Sequence, residues 1–328
     1  MKRNLLFLSL ISLIGAARAD VVYVSLEKDD AIAVLDGLSG ELKRTVKLGK
    51  RPHGLALSPD YSRLYVANAG ENAIGVLDAA SLKPIGALPA LKDPKVFALT
   101  PDGKRLFVSN DDEQKLAVID IAQNSIVKQI PVAIEPEGVT ASPDGRWIIN
   151  TSESGNVAQW IDTQSLEIVD RTPADGRPRS SRFTDDGLQL WVSSETGGTV
   201  SVIDTASRSL VKKLEFKLPG VAPGLVKPVG IRIDKQRRYA YVALGRADRV
   251  AVVDAQKLEV LSYIEVGKRV WFLEFSPDQK RLYAVNGLSD DLSIIDLDQR
   301  RTVKTVAVGH APWGIAVRPE SMGQAKAE

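Results

Sequence analysis

The side chains able to do chemistry in this chain are few, and they recur at fixed places. There are two histidines, His53 and His310, and no cysteine. That excludes thiolate catalysis, disulfides, covalent haem attachment through Cys-x-x-Cys-His and iron–sulfur clusters, and it limits any histidine-based metal site to two ligands. No His-Glu-x-x-His, Gly-x4-Gly-Lys-Ser/Thr, Gly-x-Ser-x-Gly or EF-hand loop is present. The acidic run Asp111-Asp112-Glu113 reads as solvated charge before it reads as a loose calcium site. The informative residues occupy seven turns of Pro-x-Gly type, whose x positions are His53, Lys95, Glu137, Arg179, Val229, Trp271 and Trp313. The two positions before each proline site add Lys50, Arg51, Lys92, Asp93, Glu135, Arg177, Lys227, Lys268, Arg269 and His310. With nine Lys/Arg against three Asp/Glu, these turns carry a local charge of +6, an attractor for anions. Two indoles and two imidazoles beside them suit a flat anion by stacking and charge-assisted hydrogen bonds. The candidate ligand-binding set is Arg51, His53, Lys95, Glu137, Arg177, Arg179, Lys227, Arg269, Trp271, His310 and Trp313; no residue is assigned to catalysis or metal binding. The competing reading has the tryptophans plugging a channel and the cations forming a solvated rim.

A repeat must position these turns. Seven aspartates, Asp36, Asp78, Asp120, Asp162, Asp204, Asp254 and Asp296, each end an alternating apolar run, at spacings of 42, 42, 42, 42, 50 and 42 residues. Ser-Pro-Asp or a relative of it keeps the same beat. Short strands at a period of about 40–45 residues mark propeller blades, because one small sheet cannot bury both faces alone. The expected fold is all-β, a seven-bladed β-propeller of four-stranded blades. In the second unit the strands read Gly54–Ser58, Arg63–Asn68, Ala73–Asp78 and Lys83–Leu88, lettered A to D. A bulky residue recurs in strand B (Tyr23, Tyr65, Phe107, Trp191, Tyr241 and Tyr283, with Ile149 the exception) and is expected to fill the wedge between sheets. The chain begins with strands B, C and D and ends with a lone A strand, Trp313–Val317. The C-terminal strand is therefore expected to join the N-terminal blade and close the ring. The repeated aspartates are expected to accept backbone N–H groups in the C–D turns. The longer spacing puts an apolar insertion, Phe216 to Leu225, on the same face as the charged turns, either as a decorated loop or as a lid or partner contact.

Residues 1–19 read as a cleavable signal peptide, with Lys2 and Arg3, an apolar core from Leu5 to Ile14, and Ala17-Arg18-Ala19. The apolar stretch is too short to span a bilayer. The expected mature chain, 20–328, is a single propeller, periplasmic, without a membrane anchor and monomeric. Cleavage removes Lys2, Arg3 and Arg18, leaving 40 basic against 41 acidic residues, so the net charge moves from +2 to −1. A global attraction to nucleic acid is not expected.

Tyr65-Val66-Ala67-Asn68, Phe107-Val108-Ser109-Asn110 and Tyr241-Val242-Ala243-Leu244, with the flanking Pro-x-Gly…Ser-Pro-Asp-Gly pattern, resemble the Tyr-Val-Thr-Asn motif of YVTN-type propellers. The resemblance covers the whole mature chain. Within that group the chain looks most like the β-propeller proteins associated with PQQ-dependent alcohol catabolism, which implies a periplasmic accessory or binding role and supplies no catalytic residues.

Three functional readings follow. The first is a non-catalytic binding or scaffold protein, accessory to PQQ-dependent alcohol oxidation. It would act through the D–A/B–C loop face on a protein partner or a small planar anion, PQQ being one such ligand and no cofactor being covalently bound. The second is a hydrolytic propeller of lactonase type, with Glu135, Glu137, His53 and His310 as its candidates near the channel. The third, binding of single-stranded nucleic acid, is weakened by the near-neutral mature charge.

Overall fold

The computed structural model describes residues 20–320. The signal-peptide reading of residues 1–19 and the tail 321–328 lie outside the described residues. Seven four-stranded antiparallel sheets stand around an axis as the blades of a β-propeller, and their inner strands touch in cyclic order, the last against the first. Strands B and C of the second unit run Arg63–Asn68 and Ala73–Asp78, as the alternation predicts, while A starts earlier, at Pro52. Among the described residues the only helical pieces are three short 3-10 turns. No helix among them is long and apolar enough to cross a membrane.

The ring closes as expected. Pro312–Arg318 pairs antiparallel with Val21–Leu26, in register from Val21↔Arg318 to Val24↔Ile315, with a bulge before Leu26↔Pro312. A second tie crosses the same seam, where the buried Tyr283 hydroxyl of blade 7 donates to the Gly37 carbonyl of blade 1 at 2.7 Å. Burial pushes that phenol up to about 12. Tyr23 makes the equivalent bond to the Ala79 carbonyl at 2.5 Å. The B-strand aromatics Tyr23, Tyr65, Phe107, Trp191, Tyr241 and Tyr283 are all buried, and Ile149 fills the same place in blade 4.

All seven repeated aspartates accept backbone N–H groups from the C–D turn. These bonds explain the repeat, because an extended chain must reverse there and the carboxylate occupies the otherwise unpaired amides. The insertion is half anchored. Phe216 and Val226 are buried in the core shared by blades 5 and 6, with Leu218 and Val221 packed on it, while Leu225 is exposed.

Candidate functional site

The D–A turns are held by a repeated clamp. Arg51, Asp93, Arg177, Arg269 and Ala311, each just before the start of an A strand, adopt positive φ between 50° and 59°. Each donates its N–H to an Asp or Asn of the preceding blade's B–C loop: Asp30, Asn72, Asn156, Asp248 and Asp290. The left-handed conformation costs free energy that this bond offsets. The x residue that follows is then fixed by its neighbour. Ser109 donates to the Glu137 carbonyl at 2.7 Å, Ser25 to the His53 carbonyl at 2.6 Å and Thr151 to the Arg179 carbonyl at 3.4 Å, each from the blade before. A Cβ at Gly138 would lie 2.5 Å from the Arg179 carbonyl oxygen, which is why glycine follows x in that blade.

The x side chains do not stand in open water. His53, Glu137, Arg179 and Trp313 are between 2% and 8% exposed, forming a layer across the channel mouth. Trp313 packs between His53 (ring centroids 5.0 Å apart) and Phe272 (4.7 Å). Trp271 has no such ring contact with Trp313. It lies instead between two guanidinium groups, Arg269 at 4.3 Å and Arg179 at 5.3 Å from its centroid. Closure thus brings His53 and Trp313 together and leaves Trp271 apart. His310 is exposed on the rim, its Nδ1 2.9 Å from Asp29, and that bond raises its pKa.

The cations of the turns meet carboxylates from a different loop. The residue just after strand B is Glu27 in blade 1, Asp111 in blade 3, Glu153 in blade 4 and Glu195 in blade 5. Arg179 lies among Glu137 (3.4 Å), Glu153 and Glu195 (3.7 Å). Arg177 donates through Nε to Glu153 at 2.6 Å and is 3.4 Å from Glu195. Burial works against the Arg179 charge, but the three carboxylates outweigh it and raise its pKa. Glu153 is pushed up by burial in spite of both arginines. On the other side of Glu137, Lys95 contacts Asp93 at 3.1 Å; burial opposes its charge, and Glu137 and Asp93 more than restore it. Arg51 reaches Asp93 (3.5 Å) and Glu27 (3.9 Å), and His53 Nε2 is 3.4 Å from Glu27. That contact with His53 holds the Glu27 pKa down. Glu135 accepts from the Ser154 hydroxyl. Lys227 contributes its backbone to the turn, donating its N–H to the Leu244 carbonyl.

Asp111 is different. Among the described residues its carboxylate has no hydrogen-bond or ion-pair partner, and its pKa is raised by burial, with Lys95 pulling the other way and Glu137 and Glu135 adding to the rise. A half-buried, unengaged carboxyl beside a lysine, with its pKa raised above the ordinary aspartate value, is placed to take and return a proton.

A family model described as YNCE-like beta-propeller matches residues 9–143. No curated protein matches the chain by sequence. Among solved structures, a periplasmic gluconolactonase of Pseudomonas aeruginosa superposes with a TM-score of 0.77 at 19% identity, over 92% of this chain and 99% of the other. A candidate 6-phosphogluconolactonase of Bacteroides fragilis gives 0.78 at 16%, over 93% and 99%. A dihydro-haem d1 dehydrogenase, NirN, gives 0.66 at 19%, over 92% of this chain and 66% of that one. At such identities the likeness shows the fold, and activity must be argued from this chain's own residues.

One expectation is corrected. The reading as a non-catalytic scaffold accessory to PQQ-dependent oxidation is overturned, since the propellers brought out by structure carry lactonase and haem d1 dehydrogenase names. Its physical support also weakens, because the +6 of the turns is met by carboxylates that the turns themselves do not contain. The chain is a seven-bladed β-propeller, similar over its first blades to the YNCE-like propellers.

Proposed function

We propose that this protein hydrolyses an uncharged sugar-acid lactone at the channel mouth, with Asp111 as general base. The observation that carries the reading is the unengaged Asp111 carboxyl, raised by burial, beside the fixed cation Lys95 and the Arg179 cluster. In this scheme Asp111 removes a proton from a water as its oxygen bonds to the lactone carbonyl carbon. The carbonyl oxygen becomes an oxyanion facing Lys95 and Arg179, whose charges are already in place and need no reorganisation. The ring C–O bond then breaks, and the departing alkoxide takes the proton back from Asp111, leaving a hydroxy acid. Glu137, Glu153 and Glu195 act as positioning residues that hold Arg179.

The charge of the site selects the substrate. Arg51, Lys95, Arg177 and Arg179 face Glu27, Asp93, Asp111, Glu137, Glu153 and Glu195, so carboxylates outnumber cations six to four. A phosphorylated lactone meets net repulsion there, whereas a neutral polyol ring meets many hydrogen-bonding groups. Glucono-1,5-lactone is the first substrate to assay, and the gluconolactonase similarity supports that choice, as the periplasmic setting of that protein supports export of this one. The test is lactone loss above the spontaneous rate, compared with 6-phosphogluconolactone under the same conditions. Turnover of the neutral lactone with little of the phosphorylated one is expected; the reverse order would remove the electrostatic argument.

A further inference from the structure

The lower half of the channel is a separate chamber. Below the layer of x side chains lies a cavity of about 690 Å³ that opens between the A–B turns, past Tyr61, Pro101, Pro143 and Lys235. Its walls are uneven for a reason visible in the repeat. The third residue after x is Ala56, Ala98, Thr140 and Ala316 in blades 2, 3, 4 and 1, but Arg182, Arg232 and Glu274 in blades 5, 6 and 7. Small side chains leave the space, and charged ones line the opposite wall.

The two arginines are not equivalent. Arg232 is engaged through all three nitrogens, with Nε and Nη2 on the two Glu274 oxygens at 3.1 and 2.8 Å and Nη1 on the Ile231 carbonyl at 2.9 Å. Among the described residues Arg182 makes no side-chain hydrogen bond and no ion pair, although it lines the chamber. A guanidinium has five donors and keeps its charge, and Arg182, partly exposed to the chamber, offers them to whatever enters it. Burial, then the neighbouring Arg232 charge, push its pKa down. The charged groups lining the chamber are Arg182, Arg232 and Lys235 against Asp185 and Glu274, a net +1.

We infer that this chamber is a second site, binding a small organic monocarboxylate whose carboxylate takes the Arg182 fork and whose apolar body fills the space beside Ala56, Ala98 and Phe97. The planar fork fits a carboxylate through two parallel N–H···O bonds. A single net positive charge matches a monoanion better than a phosphate dianion. The site is reached from the face opposite Asp111 and is independent of the lactonase reading.

Calorimetry with benzoate, hexanoate, benzyl alcohol and inorganic phosphate tests it on the whole protein. Benzoate or hexanoate should bind, more weakly as salt rises, and benzyl alcohol and phosphate should not. Arg182→Met should weaken carboxylate binding at least about tenfold. Ala98→Phe, which fills the chamber without touching the charge, should do the same. Both variants should keep the wild-type circular dichroism spectrum and whatever lactone turnover the protein has. Benzyl alcohol binding as well as benzoate, phosphate binding more tightly, no carboxylate binding below about 10 mM, or unchanged affinity in a folded Arg182→Met would each overturn the assignment.

Discussion

Glu153 and Arg179 form an ion pair across the seam between blades 4 and 5 in which both side chains are less than a tenth exposed. Neither belongs to the other's sheet, so the pair reports directly on blade packing. Its environment also decides what each group is for. Arg179 is shared with Glu137 and Glu195 and stays charged. Removing it leaves Glu137 without an ion pair and Glu153 and Glu195 with only the more exposed Arg177, in a poorly hydrated layer. Arg179→Met should therefore cost about 3–5 kcal/mol, the range for breaking one side of a buried pair. Arg179→Lys, which keeps the charge and loses the fork, should cost less. Urea unfolding of the two variants checks the order; equal stability for wild type and Arg179→Met would show that the cluster is solvated in solution.

Asp111 yields a prediction with the opposite sign. Its folded pKa lies above the ordinary aspartate value, so as pH rises the unfolded chain gives up this proton first. Stability therefore falls as pH rises from the ordinary aspartate value, and the loss is complete once pH has passed the folded pKa. Asp111→Asn should be as stable as wild type at pH 7 or more so, and the difference should vanish near pH 3. A merely structural Asp111 would make the substitution destabilising. Thermal melts at the two pH values distinguish these outcomes.

The C–D turn aspartates behave the other way. Asp78 and Asp162 are lowered, chiefly by hydrogen bonds from Ser81 and Ser165. Their contribution is present above the ordinary aspartate value near 4 and is lost as pH falls through the lowered folded values. Acid unfolding should steepen below about pH 4, and Asp78→Asn should flatten that limb. A stability profile unchanged between pH 5 and 2 would contradict the turn assignment.

The ring architecture was legible in the sequence because blades are nearly identical and the 42-residue beat exposes every position to comparison. The turn aspartates, the B-strand aromatics and the closing strand all followed from it. The charge of the mouth was not legible from the D–A turns alone. Those turns contribute cations, while Glu27, Asp111, Glu153 and Glu195 arrive from the end of strand B of the preceding blade. They too keep the beat, with Ala69, Gly245 and Gly287 as the other blades' residues, and comparing that position around the ring would have found them. What a period cannot show is which cations find partners. His310 and Arg179 share the D–A loops, yet one is exposed and the other buried among carboxylates.

Closure gives a prediction about length. Deleting residues 312–328 removes the strand paired with Val21–Leu26, along with Trp313, and exposes a sheet edge. Deleting only 321–328 leaves that strand in place. The first truncation should lose cooperative unfolding or aggregate, and the second should melt near wild type. Equal melting temperatures would mean that the ring holds without its closing strand.

The most direct test of the account is the pH–rate profile for glucono-1,5-lactone hydrolysis by wild type and Asp111→Asn, each corrected for the spontaneous reaction. The account predicts enzyme-dependent hydrolysis that rises with pH through a pKa above the ordinary aspartate value and then levels. It predicts a loss of about 10²–10⁴-fold in Asp111→Asn, with the fold intact. No hydrolysis above the spontaneous rate, or an Asp111→Asn variant with the wild-type profile, would contradict it.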